Sequence, residues 1–230
     1  MLVCLLAICT GNLATAQLAD RLEHGPNAVG FKTIDFYPSV EGIFRVCIWY
    51  PAQQSGNVMQ LSDYVETSMI NGATDKGQLR SDFKSSLNYI FDRSQMQDKQ
   101  FEEALKAKTW ATKDAVMKPG KWPVILCDTE PSSLIVTLEY LASYGYVVVT
   151  PAVQYGPPPS DEALYTAPTR GLETALGYIV RQSYVDPQNI FALGFGGGAL
   201  APFYLGMRSD KLKAFINIEG GLFMPLSKTT

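Results

Sequence analysis

The stretch Asn189-Ile190-Phe191-Ala192-Leu193-Gly194-Phe195-Gly196-Gly197-Gly198-Ala199-Leu200-Ala201-Pro202-Phe203-Tyr204-Leu205-Gly206-Met207 decides the fold. Asn189 to Leu193 reads as a strand and Ala199 to Met207 as a helix, so Gly194-Phe195-Gly196-Gly197-Gly198 must turn the chain sharply between them. A strand-to-helix elbow of this kind presents a nucleophile when its motif reads G-x-S-x-G. Its central residue is strained and often adopts a positive φ. Here that residue is Gly196, which meets the backbone demand and has no side chain to attack with.

Outward from the elbow, strand and helix alternate. Trp122 to Cys127 reads as a strand, Ser132 to Tyr144 as a helix and Tyr146 to Thr150 as a strand. A proline-rich loop, Gly156 to Ser160, leads to a helix at Thr169 to Gln182, then the elbow strand Ile190 to Phe195, its helix, and a strand at Ala214 to Glu219. Apolar runs spaced by helices predict a mostly parallel sheet covered on both faces. Nearer the N-terminus, Phe31 to Tyr37 and Gly42 to Tyr50 predict an antiparallel pair. From Leu61 to Thr112 the pattern is helical, with helices expected around Ser62 to Ile70, Leu79 to Phe91 and Lys99 to Lys108. This stretch reads as a helical cap inserted into one domain spanning residues 17–230.

Several segments in this order resemble secreted α/β-hydrolases of the platelet-activating-factor acetylhydrolase and dienelactone-hydrolase-like kind. They are Gly25-Pro26-Asn27-Ala28-Val29-Gly30, Ile48-Trp49-Tyr50-Pro51-Ala52 and Pro119 to Leu126, followed by Tyr140 to Val148, Val185 to Ile190 and the elbow. The resemblance reaches to about Leu226. It implies an α/β-hydrolase fold with a cap, C-terminally incomplete, and a relationship to carboxylic-ester or lipid hydrolases. It places the catalytic acid at Glu219, where the family usually shows Asp. An oxyanion hole is implied at the backbone N–H of Gly197 together with one near Asp128 or Thr129.

The base of such a triad follows the acid in chain order. The single histidine of this sequence is His24, which reads as a loop residue beside Gly25-Pro26. With the nucleophile position at Gly196 vacant and no histidine after Glu219, the chain is expected to be inactive as it stands. It then reads as a non-catalytic binding or interaction module, a pseudoenzyme, or a fragment or frameshifted form of an esterase. One further reading is open, because Gly194-Phe195-Gly196-Gly197-Gly198-Ala199 also fits G-x-G-x-x-G/A, with Glu219 placed to meet a ribose. That fingerprint belongs to the first βαβ unit of a dinucleotide-binding domain, whereas here it comes late in the chain.

Composition narrows the partners. At a formal net charge of −3, with no block of Lys and Arg, the chain carries no electrostatic footprint for nucleic acid or an anionic membrane. A small-molecule ester or acyl ligand is expected, along with association through the apolar strand Ala214 to Glu219 if that strand ends the sheet. Residues 1–16 read as a signal peptide: an apolar run from Met1 to Cys9, too short to span a bilayer and with no Lys or Arg before it, then Ala14-Thr15-Ala16 before a mature Gln17. The protein is therefore expected to be secreted or periplasmic, with lipidation at Cys9 the lesser alternative. Cys47 and Cys127 lie in apolar strands and read as buried thiols, a disulfide between them being the alternative. Without a CxxC pair or a histidine cluster no metal site is expected, and no cofactor is called for.

Overall fold

The computed structural model describes residues 22–36, 44–54, 56–67, 76–90, 96–129, 134–152 and 161–218. The N-terminal segment, the proline-rich loop and Glu219 with the residues after it lie outside these. Strands β1 (Ala28–Phe36) and β2 (Phe44–Ala52) pair antiparallel from Ala28 opposite Ala52 to Phe36 opposite Phe44. Gly30 is required there, because a Cβ at that position would run into the Tyr50 ring. A short β3 (Val58–Gln60) leads into α1 (Leu61–Thr67), α2 (Lys76–Ile90) and α3 (Asp98–Leu105), and then β4 (Lys108–Lys113).

Sequence periodicity reads Leu61 to Thr112 as a helical stretch whose last helix ends at Lys108, yet Lys108–Lys113 form a strand. It pairs parallel with β1 and antiparallel with β3. The six residues Lys108-Thr109-Trp110-Ala111-Thr112-Lys113 bury Thr109 and Ala111 and expose the terminal lysines. Threonine and tryptophan fit such a half-buried pleated surface.

The second half of the chain repeats one unit. β5 (Trp122–Asp128) is followed by α4 (Ile135–Ser143) and β6 (Val147–Ala152); α5 (Asp161–Ile179) leads to β7 (Val185–Phe195), and α6 (Leu200–Arg208) to β8 (Ala214–Ile218). α5 begins eight positions earlier than Thr169 and runs through Pro168. Proline forfeits one helical hydrogen bond, and burial of Leu172, Ala175, Leu176 and Ile179 in the next turns holds the helix against that loss. The described strands form one mixed eight-stranded sheet, ordered β3-β4-β1-β2-β6-β5-β7-β8, with β6, β5, β7 and β8 mutually parallel.

Side-chain alternation sorts the sheet into two faces. Phe31, Cys47, Trp49, Ile125, Cys127 and Val148 face α4 and the helices α1 to α3, whose Tyr64, Phe83, Phe101 and Leu105 belong to the same buried cluster. Ile48, Tyr50, Val124, Leu126, Val149 and Ile190 face α5 and α6. Each fully buried Leu or Ile contributes about 1.5–3 kcal/mol relative to an exposed one.

Candidate functional site: the elbow crevice

The connections that leave the adjacent strands β5 and β7 run in opposite directions. From β5 the chain passes through α4 on one face to reach β6 on one side, and from β7 it passes through α6 on the other face to reach β8 on the opposite side. Diverging crossovers open a crevice at the carboxyl ends of the strands, and in open α/β sheets that switch point is where ligands bind. The crevice lies between Asp128, at the end of β5, and the turn that follows β7.

That turn is the elbow expected from the sequence. Phe195 is extended, at φ −123° and ψ 138°, Gly196 has φ +52°, and Gly196–Ala199 form one 3-10 turn before α6. A side chain other than glycine is strained at this φ. The space is nevertheless open: a Cβ built on Gly196 meets no heavy atom within 4 Å. From β8, the Asn217 side-chain amide donates to the Ala199 carbonyl at 3.1 Å and ties the end of the 3-10 turn to the sheet.

Register places three residues in a row across the sheet. Asp128 of β5 is paired with Gly194 of β7, and Gly194 with Asn217 of β8. By the alternation of Val124 and Leu126, Asp128 is on the α5 and α6 side. Burial pushes its carboxyl up to about 6. A carboxyl with such a perturbed pKa, sitting in a cleft, is a functional-site candidate. Sequence reading pointed to Asp128 for its backbone N–H; the position of its side chain and the tie from Asn217 depend on strand register, which no local signal announces.

The other expected site residues fall as follows. Thr129 follows Asp128 directly at the crevice, and Gly197 lies in the 3-10 turn, so the segments named for an oxyanion hole come to the same end of the sheet. Glu219 lies outside the described residues. His24 precedes β1, which runs parallel to β6, so it sits at the other end of the sheet from the elbow. Its ring stands edge-on to Trp110, with centroids 4.7 Å apart. Cys127 adjoins Asp128 but points to the α4 face, fully buried, where burial and the Asp128 charge push its thiol up to about 12. Such a thiol is not a nucleophile at neutral pH. Cys47 and Cys127 are both buried and form no disulfide with each other, and β6 lies between their strands. Among the described residues no group of three or more His, Cys, Asp or Glu is arranged to hold a metal ion, and no helix is long and apolar enough to cross a membrane.

A mixed sheet with helices on both faces and a strand-to-helix elbow at its switch point defines the α/β-hydrolase fold. In particular, the chain is similar to the ferulic acid esterase from Streptomyces cinnamoneus, with 16% sequence identity and a TM-score of 0.61 over 87% of this chain and 61% of that one. It is also similar to a dienelactone hydrolase-like promiscuous phosphotriesterase from metagenomic libraries, at 12% identity and a TM-score of 0.42, covering 82% of this chain and 58% of that one. A third similar structure is the acylaminoacyl peptidase of Pyrococcus horikoshii, at 12% identity and a TM-score of 0.41, covering 87% of this chain and 24% of that one. The chain thus spans less than two thirds of the length of each. No family model and no curated protein matches the sequence.

Proposed function

We propose that this chain is an esterase-like α/β-hydrolase scaffold that binds a small ester or acyl ligand in the elbow crevice and does not hydrolyse it by the acyl-enzyme route. The observation that carries this reading is Gly196: the elbow turn is formed, at φ +52°, and its central residue has no nucleophilic atom. An ester carbonyl at the crevice would accept a hydrogen bond from the backbone N–H of Gly197 and a second from the Asp128–Thr129 segment. Such donors bind and polarise a carbonyl. Covalent catalysis further needs an attacking side chain and a base to take its proton. Among the described residues the thiol beside the crevice, Cys127, is buried on the opposite face, and the one histidine is at the far end of the sheet.

The same reading takes the protein to be exported, on the strength of its apolar N-terminus, and to self-associate through the edge of its sheet. The test of function is direct. Incubation with short-chain aryl esters and with a serine-directed fluorophosphonate is expected to give neither a burst of alcohol release nor a covalent adduct, while a short-chain acyl ligand protects the crevice amides from hydrogen exchange. Stoichiometric labelling of one serine would overturn the reading.

A further inference from the structure

β5 and β7 end side by side at the elbow, and their last residues leave a gap between them. Asp128 and Gly194 are register partners, so they share the α5 and α6 face, and Gly196 follows Gly194 by two residues of extended chain. Gly194 has no side chain, and Phe195 falls by alternation with Phe191 and Leu193 on the α4 face. No side chain of β7 therefore stands between the Asp128 carboxyl and Gly196. Strand spacing and rise put the Cα atoms of these two residues roughly 8 Å apart. An aspartate side chain spans less than half of that, and a Cβ built on Gly196 meets no heavy atom within 4 Å. The remaining gap admits one water hydrogen-bonded to the carboxylate. Among the described residues the Asp128 carboxyl makes no ion pair. Burial raises its pKa to about 6, and a general base works best when its pKa lies near the operating pH.

We propose that Asp128 is the general base for direct attack of water on an aryl ester held in the elbow crevice, a hydrolysis that needs no nucleophilic side chain. It rests on the ester-binding reading given above and adds an activity to it. The Asp128 carboxylate accepts a hydrogen bond from a water standing where a side chain at position 196 would otherwise lie. As the water oxygen bonds to the carbonyl carbon, its proton passes to Asp128. The carbonyl π electrons move to oxygen, which accepts a hydrogen bond from the Gly197 N–H. When the C=O bond re-forms, the ester C–O bond breaks and the departing aryloxide takes the proton from Asp128. One water is consumed, a carboxylic acid and a phenol leave, and the carboxylate is restored with no covalent intermediate. Aryl esters are the substrate class because a phenol, with a pKa of about 10, leaves the tetrahedral intermediate far more readily than an aliphatic alcohol does. In this scheme the glycine at position 196 makes room for the water.

The experiment is steady-state hydrolysis of p-nitrophenyl acetate by the full chain from about pH 4 to about pH 8, a range that brackets the Asp128 titration. Linear release of the phenol with no burst is expected, with kcat rising through pH about 6 to a plateau. Asp128→Asn is expected to lower kcat about a hundredfold or more, with KM unchanged and a thermal melt showing the variant folded. Gly196→Ser, whose side chain takes the place of the water, is expected to leave only the uncatalysed rate. Turnover by the parent no faster than in buffer, or turnover that Asp128→Asn leaves intact, overturns this inference while the ester-binding reading stands. A burst of phenol release, or a serine labelled by a fluorophosphonate, overturns both.

Discussion

Tyr64 Oη donates a 2.6 Å hydrogen bond to Glu139 Oε1 and accepts one of 3.0 Å from the Trp49 indole N–H. The same carboxylate accepts the backbone N–H of Trp110 at 2.7 Å and that of Ala111 at 3.3 Å. One buried acid on α4 therefore joins α1, β2 and β4, and it is the polar centre of a largely apolar face. Burial raises its pKa, while the hydrogen bonds from Tyr64 and Trp110 act to lower it.

Tyr64→Phe is expected to cost about 1–3 kcal/mol, because the Trp49 N–H and a Glu139 oxygen each lose a buried partner. Glu139→Ala is expected to cost more, since it orphans two strand amides and leaves a cavity. Glu139→Gln, which keeps an acceptor oxygen, should fall well short of alanine. Urea denaturation ranks the three, and a glutamine variant as unstable as alanine would show that shape, not hydrogen bonding, holds this centre.

Asp128 makes the fold pH-sensitive in a direction that can be worked out. Its folded pKa, about 6, lies above the ordinary value of 3.8, so the folded state binds this proton more tightly than the unfolded chain does. Its stabilising contribution is full below about pH 4, falls as pH rises through about 6, and is gone above that. The loss is at most about 3 kcal/mol, from a shift of about two units at 1.36 kcal/mol each. Asp128→Asn should therefore be more stable than the parent at pH 7.5, with the advantage shrinking toward pH 4. Paired thermal melts across that range test it, and a constant difference would mean that Asp128 does not titrate in this window.

How much of this was legible in the sequence varies by residue. The elbow was, because glycines between an apolar run and a helical run leave the backbone few options, and Gly196 adopts the positive φ that such a turn imposes. The repeated strand-helix units from Trp122 onward were legible for the same reason: buried parallel strands are apolar throughout. Lys108–Lys113 was not, since a six-residue strand with lysine at each end matches a solvated helix exit equally well. It is pairing with β1 and β3 that settles its state. Nor did Pro168 mark a boundary, because packing of the later turns of α5 outweighs one lost hydrogen bond. The environment of the Asp128 carboxyl depends on which strand lies beside it, and strand order is a property of the whole sheet.

The two thiols give a third expectation. Cys47 of β2 is the register partner of Thr150 in the intervening β6, and all three side chains are fully buried. A disulfide needs Cα atoms within about 7 Å, and residues separated by an intervening strand are about 10 Å apart. A thiol reagent is therefore expected to leave Cys47 and Cys127 unmodified in the native protein and to modify both in urea. Among the described residues Thr150 Oγ1 has no hydrogen-bond partner. Thr150→Val, nearly isosteric, should then be neutral or stabilising by up to about 2 kcal/mol. A clear loss of stability would reveal a buried water or a thiol contact at that hydroxyl.

Gly196→Ser separates the scaffold of a hydrolase from a dinucleotide site. Room for the side chain exists, so the cost of the variant is chiefly that of a non-glycine residue at φ +52°, about 1–2 kcal/mol. It should fold, with a modestly lowered melting temperature. The new hydroxyl would stand at the crevice near Asp128 with no imidazole to take its proton, and a single triad member contributes little. Ester turnover is therefore expected to stay at background. In a pyrophosphate-binding loop the same glycine is needed for close approach of the phosphates, so serine would abolish a cofactor affinity that the parent possesses. Calorimetric titration of parent and variant with NAD and FAD is expected to show no binding by either. Micromolar binding by the parent that vanishes in Gly196→Ser would move the elbow from ester recognition to nucleotide recognition.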